Sequence, residues 1–172
     1  HLDGGWLPVP VTTVKDRDIT YRQVTSIAPV GEAPAGKPAW RRERASGVVE
    51  YLVKSGGTEP AEVRLSLQFA PQQDPRRSVE YREGSGGIVA AGGDRILAFI
   101  DHRKAAPLSW TIEPAGVVLS GKLPAGAEAA CTVYLPAWKA APDDIGARWK
   151  DAPWAPRVES YWRSQLAPAI QA

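Results

Sequence analysis

The amino-acid sequence predicts an all-β protein: an antiparallel β-sandwich of about ten strands, with one short C-terminal helix. Short runs in which every second residue is apolar indicate strands, because successive side chains of a strand point to opposite faces of a sheet. Glycine and proline, 16 of each, are spread along the whole chain and separate these runs, as turn residues do. No helical periodicity appears between the runs, which favours stacked antiparallel sheets over alternating strands and helices.

The first half of the chain contains the clearest strand pattern, in residues 61–69. Its apolar and polar side chains alternate throughout: Val63, Leu65, Leu67 and Phe69 against Glu62, Arg64, Ser66 and Gln68. The run 48–53 precedes it across a Gly-Gly turn, and two runs so joined predict a β-hairpin. Two earlier runs, 9–14 and 18–27, complete this half of the chain.

The second half continues the pattern with two further pairs of runs. Residues 87–91 and 95–100 meet across a Gly-Gly-Asp turn, and residues 108–112 and 116–120 are separated by a Glu-Pro-Ala turn. A Leu-Pro-Ala-Gly turn then leads into the last run, residues 128–135. Each of these joins predicts neighbouring antiparallel strands.

The pattern changes near the C-terminus, which divides the chain into a β-sandwich domain, residues 1–138, and a segment, residues 139–172, with an irregular stretch and an amphipathic linker helix. Four apolar side chains of this segment have the spacing of one helical face: Val158, Tyr161, Trp162 and Leu166. Pro156 suits the first turn of a helix, and Pro168 ends it. We expect this helix to lie against the sandwich or to lead the chain onward.

Charge and composition argue against several classes of partner. The 21 basic and 19 acidic residues nearly balance, so no nucleic-acid partner is expected. No apolar run approaches the roughly 20 residues of a membrane helix, so no membrane partner is expected either. The single cysteine, Cys131, lies in an apolar run and is expected to be a buried thiol.

The chain has no methionine, even at position 1, and we expect it to be a piece of a longer translated product. With one cysteine it can form no internal disulfide, which fits a cytoplasm and a bacterial periplasm alike. We expect a periplasmic or secreted location over a cytoplasmic one.

Catalytic and metal-binding patterns are missing from the sequence. Histidine occurs only at positions 1 and 102, and His102 follows Asp101 at a strand end, where a turn is the better interpretation. The Gly-Ser-Gly-Gly stretch at 84–87 is not a nucleophile elbow, and no zinc-type spacing exists. The adjacent acids Asp143 and Asp144 are better interpreted as solvated than as calcium ligands. We therefore predict no catalytic residue, no metal site and no cofactor, and a chain that is not itself an enzyme.

Two features remain as candidates for contact with a ligand or a neighbouring domain. The stretch from Ala28 to Ala45 is long for a connection inside a compact domain, and both a contacting loop and an exposed mobile loop explain it. Tryptophans are concentrated in the last third of the chain, where packing of the tail or an interdomain interface is favoured over sugar stacking. The candidate contact residues are Trp40, Arg41, Arg42, Arg44, Tyr161 and Trp162.

Three stretches carry a family resemblance: residues 21–29, residues 49–63 with their Gly-Gly turn, and residues 123–138 followed by 157–166. Together they resemble the N-terminal β-sandwich of bacterial glycoside hydrolases with an (α/α)6 catalytic barrel, the six-hairpin glycosidases. In such enzymes a linker helix, often with a sequence like Ser160-Tyr161-Trp162-Arg163, leads from the sandwich to the barrel. The resemblance implies that the catalytic acid and base lie in the barrel, which this chain lacks. Sandwich domains of that family are usually larger, so this one would be a reduced or partial version.

The resemblance implies a non-catalytic accessory or structural domain of a carbohydrate-active enzyme. Such a domain packs against the catalytic barrel, lends it a loop (residues 34–44), and has as partners the rest of its own polypeptide and carbohydrate. Two alternatives stay open. A carbohydrate-binding module predicts a row of exposed tryptophans, whereas an extracytoplasmic protein–protein interaction domain predicts an unpaired edge strand or a large exposed apolar patch.

Overall fold

Alternating apolar residues form strands throughout the computed structural model, which describes residues 9–29, 45–69, 79–84, 87–93, 95–140, 158–160 and 162–163. The all-β prediction is confirmed, with ten strands in this part of the chain. They are β1 (Val11–Asp16), β2 (Ile19–Pro29), β3 (Ala45–Ser55), β4 (Ala61–Leu67), β5 (Glu80–Gly84), β6 (Gly87–Gly92), β7 (Arg95–Asp101), β8 (Ser109–Glu113), β9 (Gly116–Leu123) and β10 (Glu128–Pro136).

The strands form two antiparallel sheets of unequal size. The larger sheet has the order β1-β2-β3-β10-β7-β6-β5, and the smaller sheet has the order β4-β9-β8. Buried side chains of both sheets share common clusters, so the sheets pack face to face as a sandwich. We call the side of the larger sheet that meets the smaller sheet its inner face, and the opposite side its outer face.

Short turns join the hairpins that the sequence predicts in the second half of the chain. β6 pairs with β7 and β8 pairs with β9, as expected. β5 was not anticipated, because Tyr81 is the only apolar residue among Glu80–Gly84 and the other side chains are exposed. β2 and β3 also extend into the predicted loop, to Pro29 and from Ala45, while residues 30–44 lie outside the described part of the chain.

The predicted hairpin between residues 48–53 and 61–69 is wrong. β3 pairs with β2 and β10, whereas β4 pairs with β9, so the Gly-Gly turn carries the chain from one sheet to the other. The Gly56 N–H donates to the Asp18 carbonyl at 2.7 Å, and the Ser55 N–H donates to the Ala127 carbonyl at 2.9 Å. These bonds hold the end of β3 against the β1–β2 turn and against the loop that returns the chain to the larger sheet.

Apolar side chains of both sheets fill the space between them in two clusters. One joins Val49, Ile88, Ile100 and Val133 of the larger sheet to Leu67 and Val117 of the smaller one. The other joins Ile19, Val53 and Ala129 to Val63, Leu119 and Leu123. Burial of these side chains, each worth roughly 1.5–3 kcal/mol, is the main stabilising contribution between the sheets.

The outer face of the larger sheet carries a third apolar cluster, which a β-bulge helps to build. Ala90 pairs with Ala98 but Ala91 pairs with Ile96, so Leu97 is an extra residue on β7. The side chains of Ile96 and Phe99 therefore both reach this face, where the Phe99 ring stacks on Tyr134 with centroids 6.1 Å apart. The C-terminal part of the chain, through Ala140, Val158 and Trp162, packs on this cluster.

A glycine in contact with the Phe99 ring provides a test of this packing. A Cβ at Gly87 would collide with the Ile100 carbonyl and the Phe99 ring, whereas a Cβ at Gly84, its cross-strand partner, would meet nothing within 4 Å. We expect Gly87→Ala to lower the free energy of unfolding by about 1–3 kcal/mol, the usual effect of overpacking. Gly84→Ala, the matched control, should leave it unchanged or raise it by up to about 1 kcal/mol. Urea unfolding followed by tryptophan fluorescence measures both values, and equal effects would contradict the packing described.

Candidate functional site

A groove lies where the smaller sheet stops covering the larger one. It runs between β4 and the inner face of β1, β2 and β3, and its volume is about 320 Å³. Seven strands cannot be covered by three, so the inner side chains at the β1 end keep part of their surface; Val14 is 56% exposed. The groove is therefore a direct consequence of the unequal sheets.

The floor of the groove consists of two cross-strand rows. Val14, Tyr21 and Val53 form one row, and Thr12, Gln23 and Tyr51 form the next. Tyr21 and Tyr51 are thus diagonal neighbours on β2 and β3, a separation that aromatic side chains can bridge. Both rings are half-buried, so each contributes packing surface to the core and keeps a surface toward solvent.

Gln23 and Tyr51 supply hydrogen-bonding groups to the floor of the groove. The Gln23 amide donates from Nε2 to Thr25 Oγ1 at 3.1 Å, which orients it and leaves an amide oxygen and a second N–H as hydrogen-bonding groups. Burial raises the pKa of Tyr51, and the neighbouring Cys131 adds to the effect. The Tyr51 hydroxyl therefore stays protonated at neutral pH and can donate as well as accept a hydrogen bond.

Leu65 of β4 forms the opposite wall of the groove. Arg64 alternates with the inward Val63 and Leu65 along β4, so its side chain points away from the larger sheet, where it is bound to an acidic partner. Its Nη2 donates to both carboxylate oxygens of Glu113, at 2.9 and 3.2 Å. Because the pair is exposed to solvent, we expect it to contribute little to stability.

The sequence-predicted contact residues are not part of this groove in the described structure. Trp162 packs on the outer-face cluster, on the opposite side of the larger sheet. The other five candidates lie outside the described residues: Trp40, Arg41, Arg42, Arg44 and Tyr161. Their role in ligand or interdomain contact stays a prediction, as does the division of the chain at residue 138.

Tyr21, Gln23 and Tyr51 were not singled out as site residues by sequence reasoning. The sequence does contain a feature that reflects the groove. Tyr21 and Gln23 occupy inward positions of β2, where a fully covered strand would carry aliphatic residues. That feature could be interpreted only once the small size of the opposing sheet was known.

Three tryptophans lie in the described part of the chain, and each packs against a core cluster. Trp110 contacts both clusters between the sheets, and Trp138 and Trp162 contact the outer-face cluster. All three are half-buried. Among these described tryptophans, the row of exposed rings expected of a tryptophan-based sugar platform is not present.

His102 lies in a turn, next to a carboxylate that has its own partner. Its carbonyl accepts the Ala105 N–H at 2.9 Å, and its ring lies 6.1 Å from the Trp110 ring. Asp101 is bound by Arg103 through the backbone N–H at 3.0 Å and through the guanidinium Nη2 at 2.7 Å. Within the described residues, no three His, Cys, Asp or Glu side chains come together as a metal site requires.

Ionisable groups near the core have shifted pKa values with clear causes. Burial raises the pKa of the Cys131 thiol to about 12, and the Asp101 charge contributes, so the thiol stays protonated. Burial alone would raise the pKa of Asp101, but hydrogen bonds from Arg103 and the nearby positive charges outweigh it and lower that pKa. Asp101 is consequently a stabilised carboxylate rather than a proton donor.

No protein-family model and no curated protein matches this chain significantly. In the part of the chain that the structure describes, no helix is long and apolar enough to cross a bilayer.

The lowered pKa of Asp101 gives a pH-dependent prediction. The carboxylate contributes stability above its usual pKa of 3.8, and this contribution is lost as the pH falls through the lower folded-state pKa. Asp101→Asn should therefore be less stable than the native chain at pH 7. The difference in stability should shrink as the pH falls below 3.8. Thermal unfolding between pH 7 and pH 2 measures it.

Glu80→Gln is the matched control, because Glu80 also pairs with an arginine two residues later but both side chains are exposed. The Glu80→Gln substitution should change the thermal stability little at any pH. A constant difference between Asp101→Asn and the native chain across the whole pH range would contradict the assigned cause.

Proposed function

We propose that this chain is a non-catalytic accessory β-sandwich domain of a carbohydrate-active enzyme, which braces a catalytic barrel formed by the rest of its polypeptide. The observation that carries the proposal is the packing of helical residues 158–160 and 162–163 on the outer face of the larger sheet. The carbohydrate-active class comes from the family resemblance of the strand and tail sequences.

The contact between tail and sheet favours a bracing role over a flexible tether. Val158 is 4% exposed within the outer-face cluster, and Trp162 packs against the same cluster. Glu159 and Arg163, one turn apart, form an ion pair at 2.7 Å on the solvent side. A segment held in this way sets the direction in which the chain continues, whereas a glycine-rich or polar linker would leave it variable.

The architecture of the sandwich is suited to support. The centre of its larger sheet is covered on both faces, by the smaller sheet and by the C-terminal part of the chain, so the central strands are packed from two sides. Deformation of such a sheet would open close-packed apolar contacts, which is costly. A neighbouring domain that rests on this unit therefore has a rigid surface as its base.

The experiment uses the full product of the reading frame that encodes this chain, which the proposal requires to be a longer protein with a barrel after residue 172. If the sandwich braces a barrel, calorimetry of that protein should show one cooperative transition, because the two units stabilise each other. Trp162→Ala should lower the free energy of unfolding by about 2–3 kcal/mol through lost burial and should separate the transition into two.

Arg163→Ala is the control, because it removes an exposed side chain next to Trp162 and should keep the single transition. Two independent transitions in the unmodified protein would refute bracing. A downstream polypeptide with no helical barrel would refute the proposed parent enzyme.

A further inference from the structure

We propose that the groove between β4 and the inner face of β1–β3 is a binding site for a neutral carbohydrate. The class of ligand rests on the proposed function; the location rests on the groove itself, which no sequence motif marks. Its volume of about 320 Å³ lies within the roughly 300–1,000 Å³ range of small-molecule sites. A groove at the small end of this range suits a short oligosaccharide rather than a large ligand.

The surface of the groove has the two properties that a sugar ring requires. A pyranose has C–H groups that pack on aromatic rings, and Tyr21 and Tyr51 present two half-buried rings on adjacent strands. A sugar also has hydroxyl groups that both donate and accept hydrogen bonds. The Gln23 amide and the Tyr51 hydroxyl each do both, and Gln23 is already oriented by Thr25.

The charges beside the groove favour a neutral sugar over an anionic one. Arg64 is bound to Glu113 through both carboxylate oxygens, and it alternates with the inward Val63 and Leu65 along β4, so its side chain presents no positive charge to an acidic sugar in the groove. Arg22 also borders the groove, but it alternates with Tyr21 and Gln23 along β2 and therefore points to the opposite face of the sheet. The groups that face the groove from its floor are uncharged: Thr12, Val14, Tyr21, Gln23, Tyr51 and Val53.

Binding can be mapped on the 172-residue chain by NMR. Neutral tetrasaccharides of glucose, xylose, mannose and galactose are titrated into the ¹⁵N-labelled protein, with a tetragalacturonate as the anionic probe. We expect at least one neutral tetrasaccharide to cause saturable shifts in the amides of Thr12, Gln23, Tyr51 and Leu65. The amide of Phe99, in the outer-face cluster, should not move, and tetragalacturonate should bind more weakly.

Substitutions separate contact with the ligand from general stability. Gln23→Ala and Tyr21→Ala should each weaken binding at least threefold, by loss of hydrogen bonds and of ring packing respectively. Gln68→Ala is the control for Gln23, because Gln68 is an exposed glutamine of the chain that does not line the groove. If Tyr21→Ala fails to fold, Tyr21→Phe, which keeps the ring, should bind within about twofold of the native chain, and Gln23→Ala still tests the site.

The outcomes distinguish this inference from the proposed function. No shift in the groove with any neutral tetrasaccharide at millimolar concentration overturns the site, even if calorimetry of the longer protein shows one transition. Groove shifts combined with two independent calorimetric transitions support the site and refute the bracing role. Shifts that depend on protein concentration alone, without sugar, overturn the inference in favour of a second copy of the chain in the groove.

Discussion

The pairing of β3 with β10 is the constraint on which the rest of the structure depends. Nine residue pairs join these strands, from Ser46 opposite Pro136 to Lys54 opposite Glu128. β2 extends the sheet from β3 on one side, and β7 extends it from β10 on the other. Alternate residues of the pair supply both faces: Val49 and Cys131 face the smaller sheet, while Val48 and Tyr134 face the C-terminal tail. Without this long-range pairing, neither the space between the sheets nor the outer-face cluster would form.

The difference in size between the sheets explains why the inner face of the larger sheet is apolar at its centre and mixed at its β1 end. Strands β10, β7 and β6 face the smaller sheet and carry small or aliphatic side chains inward, as β3 does at Val49 and Val53. On β2 the inward positions change from Ile19 to Tyr21 and Gln23, because these side chains have one side in the core and one side in the groove. A tyrosine satisfies both surroundings, since its ring packs on apolar neighbours and its hydroxyl reaches water.

The groove and the tail contact lie on opposite faces of one sheet, so the two proposed roles would not compete for one surface. A barrel docked beyond the tail would approach the outer face, where Trp162 and Val158 pack, and would leave the groove accessible. β2 and β3 contribute to both faces, through Val24 and Val48 on the outer side and Tyr21 and Tyr51 on the inner side. A ligand in the groove and a domain on the outer face would therefore contact the same two strands.

The sequence by itself determined the fold class, most of the strands and the hairpins β6–β7 and β8–β9, because alternation and short turns are local properties of the chain. It could not determine that β3 and β4 belong to different sheets, since a Gly-Gly turn between two strands suits a hairpin and a crossing between sheets equally well. Nor could it locate the groove, which the tertiary structure alone decided. Alternation records which side of a strand is apolar, but what covers that side depends on strands paired across tens of residues, such as β3 with β10 and β4 with β9.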